Sequence, residues 1–117
     1  MNSEALSQLV IKGMVEKKAN DIVLIDLRNT PNAVADFFVV CTGNSDTQIE
    51  AIAESIEEET EKEEVRAWQK EGTSNREWVL LDYVDVVAHI FSNRSRNFYG
   101  IEDLWGDAVV EHIEEEY

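Results

Sequence analysis

A chain of 117 residues with 25 acidic and 10 basic side chains, a net charge of −15 and 44% hydrophobic residues describes an acidic globular domain and not a disordered segment. Affinity for free nucleic acid or an anionic membrane rests on lysine and arginine patches, so this charge disfavours both and makes a basic protein surface the natural complement. One cysteine, Cys41, excludes an intrachain disulfide; the amino terminus lacks a basic, apolar leader and no apolar run approaches about 18 residues, so the expected compartment is the cytoplasm.

Residues 4–18 are expected to form a helix, because Leu6, Leu9, Val10, Gly13 and Met14 recur at helical spacing, with Ser3 as the cap. Gly13 on the apolar side points to a close approach between backbones. Residues 21–27 and 37–42 are strands whose unbroken apolar centres suit positions covered on both faces. Ser45 and Gln48 fit a capping box, and Ile49, Ile52, Ala53, Ile56 and Thr60 then stripe a helix to about residue 63. Its other face carries Glu50, Glu54, Glu57, Glu58 and Glu61.

A short strand is expected at 65–69, and strands at 77–82 and 85–91 form an antiparallel hairpin. Neither Tyr83 nor Val84 suits a standard two-residue turn, so the loop extends to Asp85. Ser92 caps a short helix stopped by Gly100, and 101–105 make one more helical turn. Residues 109–117 form an acidic tail, expected to be partly unstructured. Residues 1–108 are thus one α/β domain, a mixed sheet of about five strands with helices packed on it. The helix after the second strand implies a parallel crossover.

Candidate sites are few. Gly43, Asn44 and Ser45 join a strand to a helix start, where free N–H groups favour an anion. One glycine without a lysine makes neither a P-loop nor a dinucleotide fingerprint, and Asp46 repels anions. Nucleotidyl transfer would need carboxylates on the next strand, and Val65 to Gln69 supply none. His89 is expected as a satisfied histidine of the sheet. The two histidines and one cysteine have no zinc spacing. The hairpin is the stronger candidate. Alternation sends Trp78, Leu80 and Asp82 to one face and Val79 and Leu81 to the other, so both faces carry large apolar groups. Tyr83 and Trp105 add aromatic side chains of the kind that anchor interfaces.

The stretches ADFFVVCTGNSDTQIEAIAESIEE, WVLLDYVDVVAHIF and NFYGIEDLWGDA, in this order, closely resemble the ribosomal silencing factor, or Iojap-like, family, from about Ala5 to Ala108. The resemblance implies a nucleotidyltransferase-like topology without transferase activity, no cofactor or metal, and crystalline homodimers. It also implies binding to the fourteenth large-subunit ribosomal protein, on the face that meets the small subunit, with repression of translation by steric block of subunit joining. Carried over residue by residue, Trp78, Asp82 and Asp85 match the hairpin motif. Leu80 is matched by other apolar residues, and Tyr83 stands at a variable position. Tyr99, Leu104 and Trp105 match the closing aromatic motif. Those eight residues form the expected partner-binding set. The alternatives are a nucleotide-binding or nucleotidyltransferase-like protein using Gly43 to Ser45, and a self-assembling structural protein.

Overall fold

The computed structural model describes residues 1–99, 108–114 and 117. In chain order these form α1 (Ser3–Glu16), β1 (Asn20–Asp26), β2 (Phe37–Gly43), α2 (Asp46–Glu61), β3 (Gln69–Glu71), β4 (Trp78–Asp82), β5 (Val86–Ser92), α3 (Asn93–Tyr99) and β6 (Val109–His112). The strands make one six-stranded mixed sheet in the order β3-β4-β5-β2-β1-β6, one strand more than the sequence pattern suggests. Among the described residues only β2 and β5 pair in parallel, from Phe37 opposite Val86 to Gly43 opposite Ser92. After α2 the chain reaches the sheet edge at β3 and returns by two antiparallel steps through β4, which sets β5 beside β2.

Burial explains which strands sit in the middle. All seven residues of β2 are buried, and six of seven in β5, as their apolar runs require. β4 alternates, with Val79 and Leu81 buried and Trp78, Leu80 and Asp82 half-buried. On one sheet face, α1 and α2 cover a core that includes Val10, Met14, Ile52, Ile56, Val39, Leu81 and Ile90. The opposite face gathers Val23, Ile25, Phe38, Val40, Val87 and Phe91, with Trp78 and Leu80 packed at its margin.

The two helices meet where the sequence places a glycine on an apolar stripe. A Cβ on Gly13 would lie 2.6 Å from Ile56 Cα and 2.8 Å from Ile56 N, both backbone atoms that cannot swing aside. Gly13→Ala is therefore expected to destabilise the fold by about 1–2 kcal/mol, the overpacking cost less alanine's better helix propensity. Urea titration checks this; a variant as stable as the parent would mean that the helices slide apart freely. A second tie holds the pair. Glu59 of α2 bonds Lys62 at 3.0 Å and reaches Lys12 of α1 at 3.4 Å, and these ammonium groups, Lys62 first, hold its carboxyl below the usual range.

Four elements depart from the sequence pattern. Asn2, not Ser3, caps α1, its Oδ1 accepting from Ala5 N at 2.7 Å. Ser45 caps α2 as expected, but Gln48 Oε1 accepts from Asn44 N at 2.6 Å, one residue before the position of a capping box. The third strand lies at Gln69–Glu71: the apolar side chains at Val65 and Ala67 are spent on packing against the core, not on a ladder. Residues 109–112, expected within an unstructured tail, form β6 on the free edge of β1. Main-chain pairing is indifferent to the acids there, and Ile113 both packs on the core and donates its N–H to Ile22 O at 2.9 Å. Gly100 and the helical turn expected at 101–105 lie outside the described residues.

Candidate docking site

Trp78, Leu80 and Asp82 share one face of β4, as alternation requires, on the sheet side that α1 and α2 do not cover. Beneath them lies an aromatic layer. The Trp78 indole stacks on Phe91 with centroids 5.1 Å apart, and Phe38 meets His89 edge-on at 4.7 Å. The Trp78 Nε1–H donates to His89 Nδ1 at 3.0 Å. An Nδ1 that accepts places the proton of a neutral imidazole on Nε2, a buried atom with no hydrogen-bond partner. Burial pushes the His89 pKa down to about 4. His89 is thus a neutral spacer holding Trp78, satisfied on one nitrogen and not on both. The sequence pattern gave no sign of this pairing between residues eleven apart on adjacent strands.

Glu77 fixes the start of β4, and nothing in the sequence marks it. Its carboxylate accepts from Ser95 Oγ at 2.6 Å, Ser92 Oγ at 2.9 Å and Arg94 Nη2 at 2.8 Å, while its carbonyl accepts from Ser92 N at 3.0 Å. These donors, Ser95 first, hold its carboxyl below the usual range. The clasp ties the residue before Trp78 to the end of β5 and to the first turn of α3, where Ser92 Oγ also caps Ser95 N at 3.1 Å.

The hairpin turns over three residues, as Tyr83 and Val84 imply. Tyr83 O accepts from Asp85 N at 2.9 Å across Val84, whose φ of 75° is strained for a β-branched residue. Asp82 Oδ1 accepts from Val84 N at 2.7 Å and so holds that strain in place. Asp85 presents its side chain to solvent, while its carbonyl accepts from Asp36 N and Phe37 N and fixes the start of β2. Tyr83 belongs elsewhere than expected: it is buried against α2, its hydroxyl 2.9 Å from Thr60 Oγ1, and burial lifts its phenol above the ordinary range. Its position after Asp82 turns it to the helix-covered face, which removes it from the surface that Leu80 and Asp82 share. Tyr99 ends α3, and Leu104 and Trp105 lie outside the described residues.

The Gly43 to Ser45 junction is consumed by the fold. Ser45 Oγ accepts from Gln48 N at 3.1 Å, Gln48 Oε1 takes Asn44 N, and Asn44 Oδ1 accepts from Asn93 Nδ2 at 3.1 Å. The Gln48 amide also donates to Lys17 O and Lys18 O, each at 3.1 Å, so the loop after α1 closes over the same corner. A Cβ on Gly43 would lie 2.6 Å from Ile49 Cγ1. The amides that a phosphate would use at Asn44 and Gln48 already have partners. Among the described residues, no three histidine, cysteine or carboxylate side chains gather where they could hold a metal ion, and no helix is long and apolar enough to cross a membrane.

What this face offers is surface: a half-buried indole and leucine, flanked by aspartates, on a rigid mixed sheet. The fold and site define a small α/β domain with a mixed sheet, whose uncovered β4 strip carries a half-buried tryptophan and leucine.

The chain belongs to the ribosomal silencing factor family, whose model, described as "Ribosomal silencing factor during starvation", matches residues 1–117. It is 35% identical over 114 residues to ribosomal silencing factor RsfS of Bacillus subtilis, covering 97% of this chain and 96% of that one. It is also 35% identical over 110 residues to the chloroplastic protein Iojap of Zea mays, covering 92% of this chain and 47% of that longer protein. A crystal structure from Chromobacterium violaceum superposes with a TM-score of 0.85 at 33% identity, covering 91% of this chain and 88% of that one. One from Bacillus halodurans does so at 0.79 and 31%, covering 96% and 99%. The family match reaches through residues 109–117, beyond the boundary at Ala108 drawn from the motifs.

Proposed function

We propose that this protein represses translation in the cytoplasm by docking, through the half-buried Trp78–Leu80–Asp82 strip of β4, on the fourteenth protein of the large ribosomal subunit. There it denies the small subunit room to join. One observation carries this reading: the Trp78–Leu80–Asp82 strip sets a half-buried indole and leucine beside a carboxylate on a chain of net charge −15. Such a surface suits a basic protein partner and not bare RNA phosphate. The match to a family of silencing factors supports the ribosome as the partner. Nothing in the mechanism requires a reaction or a cofactor. Occupied volume excludes the competitor, and the rigidity given by the Glu77 clasp and the aromatic layer keeps the strip in one shape.

The decisive experiment mixes purified protein with large and small subunits and measures the yield of joined ribosomes. A dose-dependent fall is expected, with the protein sedimenting on large subunits alone. Joined ribosomes at full yield under saturating protein would refute the reading.

The aspartates allow a cleaner test of the electrostatic part. Asparagine at position 82 keeps an oxygen for Val84 N, so Asp82→Asn together with Asp85→Asn removes charge without removing the turn bond. The double variant is expected to bind large subunits several-fold more slowly at low salt and with a shallower salt dependence. An unchanged slope would show that these carboxylates serve only the turn.

A further inference from the structure

Four exposed large apolar side chains stand at one end of the sheet. β2, β3, β5 and β6 begin at this end, and β1 and β4 finish there. Trp68 is 72% exposed just before β3, Val84 is 56% exposed at the hairpin turn, Val34 is 76% exposed on the loop before β2, and Val109 is 69% exposed at the first residue of β6. A lone exposed valine is ordinary. A tryptophan left almost three-quarters in water is not, because its burial is worth more than that of any other side chain.

Hydrogen bonds tie the first three of these segments together at the hairpin. Trp68 N donates to Asp82 O at 2.7 Å, Val84 N donates to Asp82 Oδ1, and Asp36 N, two residues after Val34, donates to Asp85 O at 2.8 Å. From β3 across β4 and β5 to β2 is three strand spacings, about 15 Å. The rim is therefore apolar, acidic at Asp82 and Asp85, and continuous through Asp82 with the strip that carries Trp78 and Leu80. Val84 is held there in a left-handed conformation that glycine would adopt without strain. The fold thus keeps an exposed apolar group at the tip where a relaxed alternative exists.

We propose that this sheet end is a second arm of the docking surface, with Trp68 as its aromatic anchor, and that it seats on the same basic ribosomal protein as the β4 strip. The inference rests on the docking reading above and extends it from a strip along one strand to an angled surface that wraps the hairpin. Charge decides the occupant: the net charge of −15 and the Asp82 and Asp85 carboxylates beside Val84 would repel a second copy and attract lysine and arginine around an apolar pocket, Arg66 and Lys70 beside Trp68 notwithstanding.

The test measures binding of full-length wild type, Trp68→Ala, Trp68→Phe and the Asp82→Asn, Asp85→Asn double variant to purified large subunits, with sedimentation of each protein alone. Trp68 is so exposed that folding is not at stake. Trp68→Ala is expected to bind about tenfold more weakly, with most of the loss restored in Trp68→Phe and no change in self-association. If Trp68→Ala binds as tightly as a wild type that does bind, the second arm is wrong and the docking strip stands. Altered self-association with unchanged subunit binding would assign the rim to a second copy and likewise overturn the proposal. Wild type that does not bind at all would remove the docking reading itself, and this inference with it.

Discussion

Acidification from neutral pH to about pH 4 is expected to cost the native state about 3 kcal/mol through His89 alone. The imidazole is buried, its pKa is pushed down to about 4 by desolvation, and an unperturbed histidine titrates near 6.5. Geometry explains why the native state refuses the proton. A second proton would sit on Nδ1, where the Trp78 Nε1–H already points, and two donors would face each other at 3.0 Å. Between pH 6.5 and 4 the unfolded chain therefore binds a proton that the native one does not. Stability is fully present above 6.5, falls as pH drops through that window, and levels off once the native state is protonated too. The carboxylates held low by their partners, Glu59, Glu77 and Asp26, begin to lose their contribution only as pH falls through the ordinary carboxylate range, so His89 acts alone in the upper part of the window. Urea midpoints measured across this range, in wild type and His89→Leu, provide the check. The variant's curve should be flat from 6.5 to about 5; an equal slope in both proteins over that range would place the sensitivity elsewhere.

Trp78→Ala is expected to lose about 3 kcal/mol of stability, near the lower end for aromatic truncations because the indole is only half-buried. Two losses add: the stack on Phe91, and the bond that satisfies His89 Nδ1. Trp78→Phe should retain the stack and lose about 1 kcal/mol for the missing N–H. Binding must then be measured where both variants remain folded. There the alanine variant is expected to bind large subunits about 30-fold more weakly, a little over 2 kcal/mol. Denaturant titration of the two variants separates the contributions. Trp78→Phe as stable as the parent would mean that the indole N–H bond adds nothing to the fold.

The strands that proved easiest to read were those with one physical reason to exist. The unbroken apolar runs of β1 and β2 need cover on both faces, and the stripe from Ile49 to Thr60 faces the sheet. Alternation along β4 placed Trp78, Leu80 and Asp82 together because period two leaves no other choice. Misreadings arose where one residue type serves two ends. Val65 and Ala67 alternate like a strand but pack beside a loop. The acids of the last segment look like a solvated tail, yet the valines beside them enter the sheet. Tyr83 looks like an interface aromatic, and only the pairing of its hydroxyl with Thr60, twenty-three residues away in sequence, shows that it is core. The Glu77 clasp and the Trp78–His89 bond were illegible for the same reason: each joins residues more than ten apart whose types are unremarkable singly. Trp68 carried a signal, a tryptophan in a polar neighbourhood, but not its exposure.

The partnership of β1 with β6 sets Asp26 opposite Val109, and the parallel centre sets Phe37 opposite Val86. Neither pairing can grow by zippering outward from a turn, because each must first close a long stretch of chain. Folding should accordingly belong to the slower regime of high contact order, milliseconds and longer, and not to the microsecond regime of helical bundles. Until β6 arrives, β1 offers a bare apolar border that a neighbouring chain could copy, so this late, fully exposed strand guards the nascent sheet against aggregation.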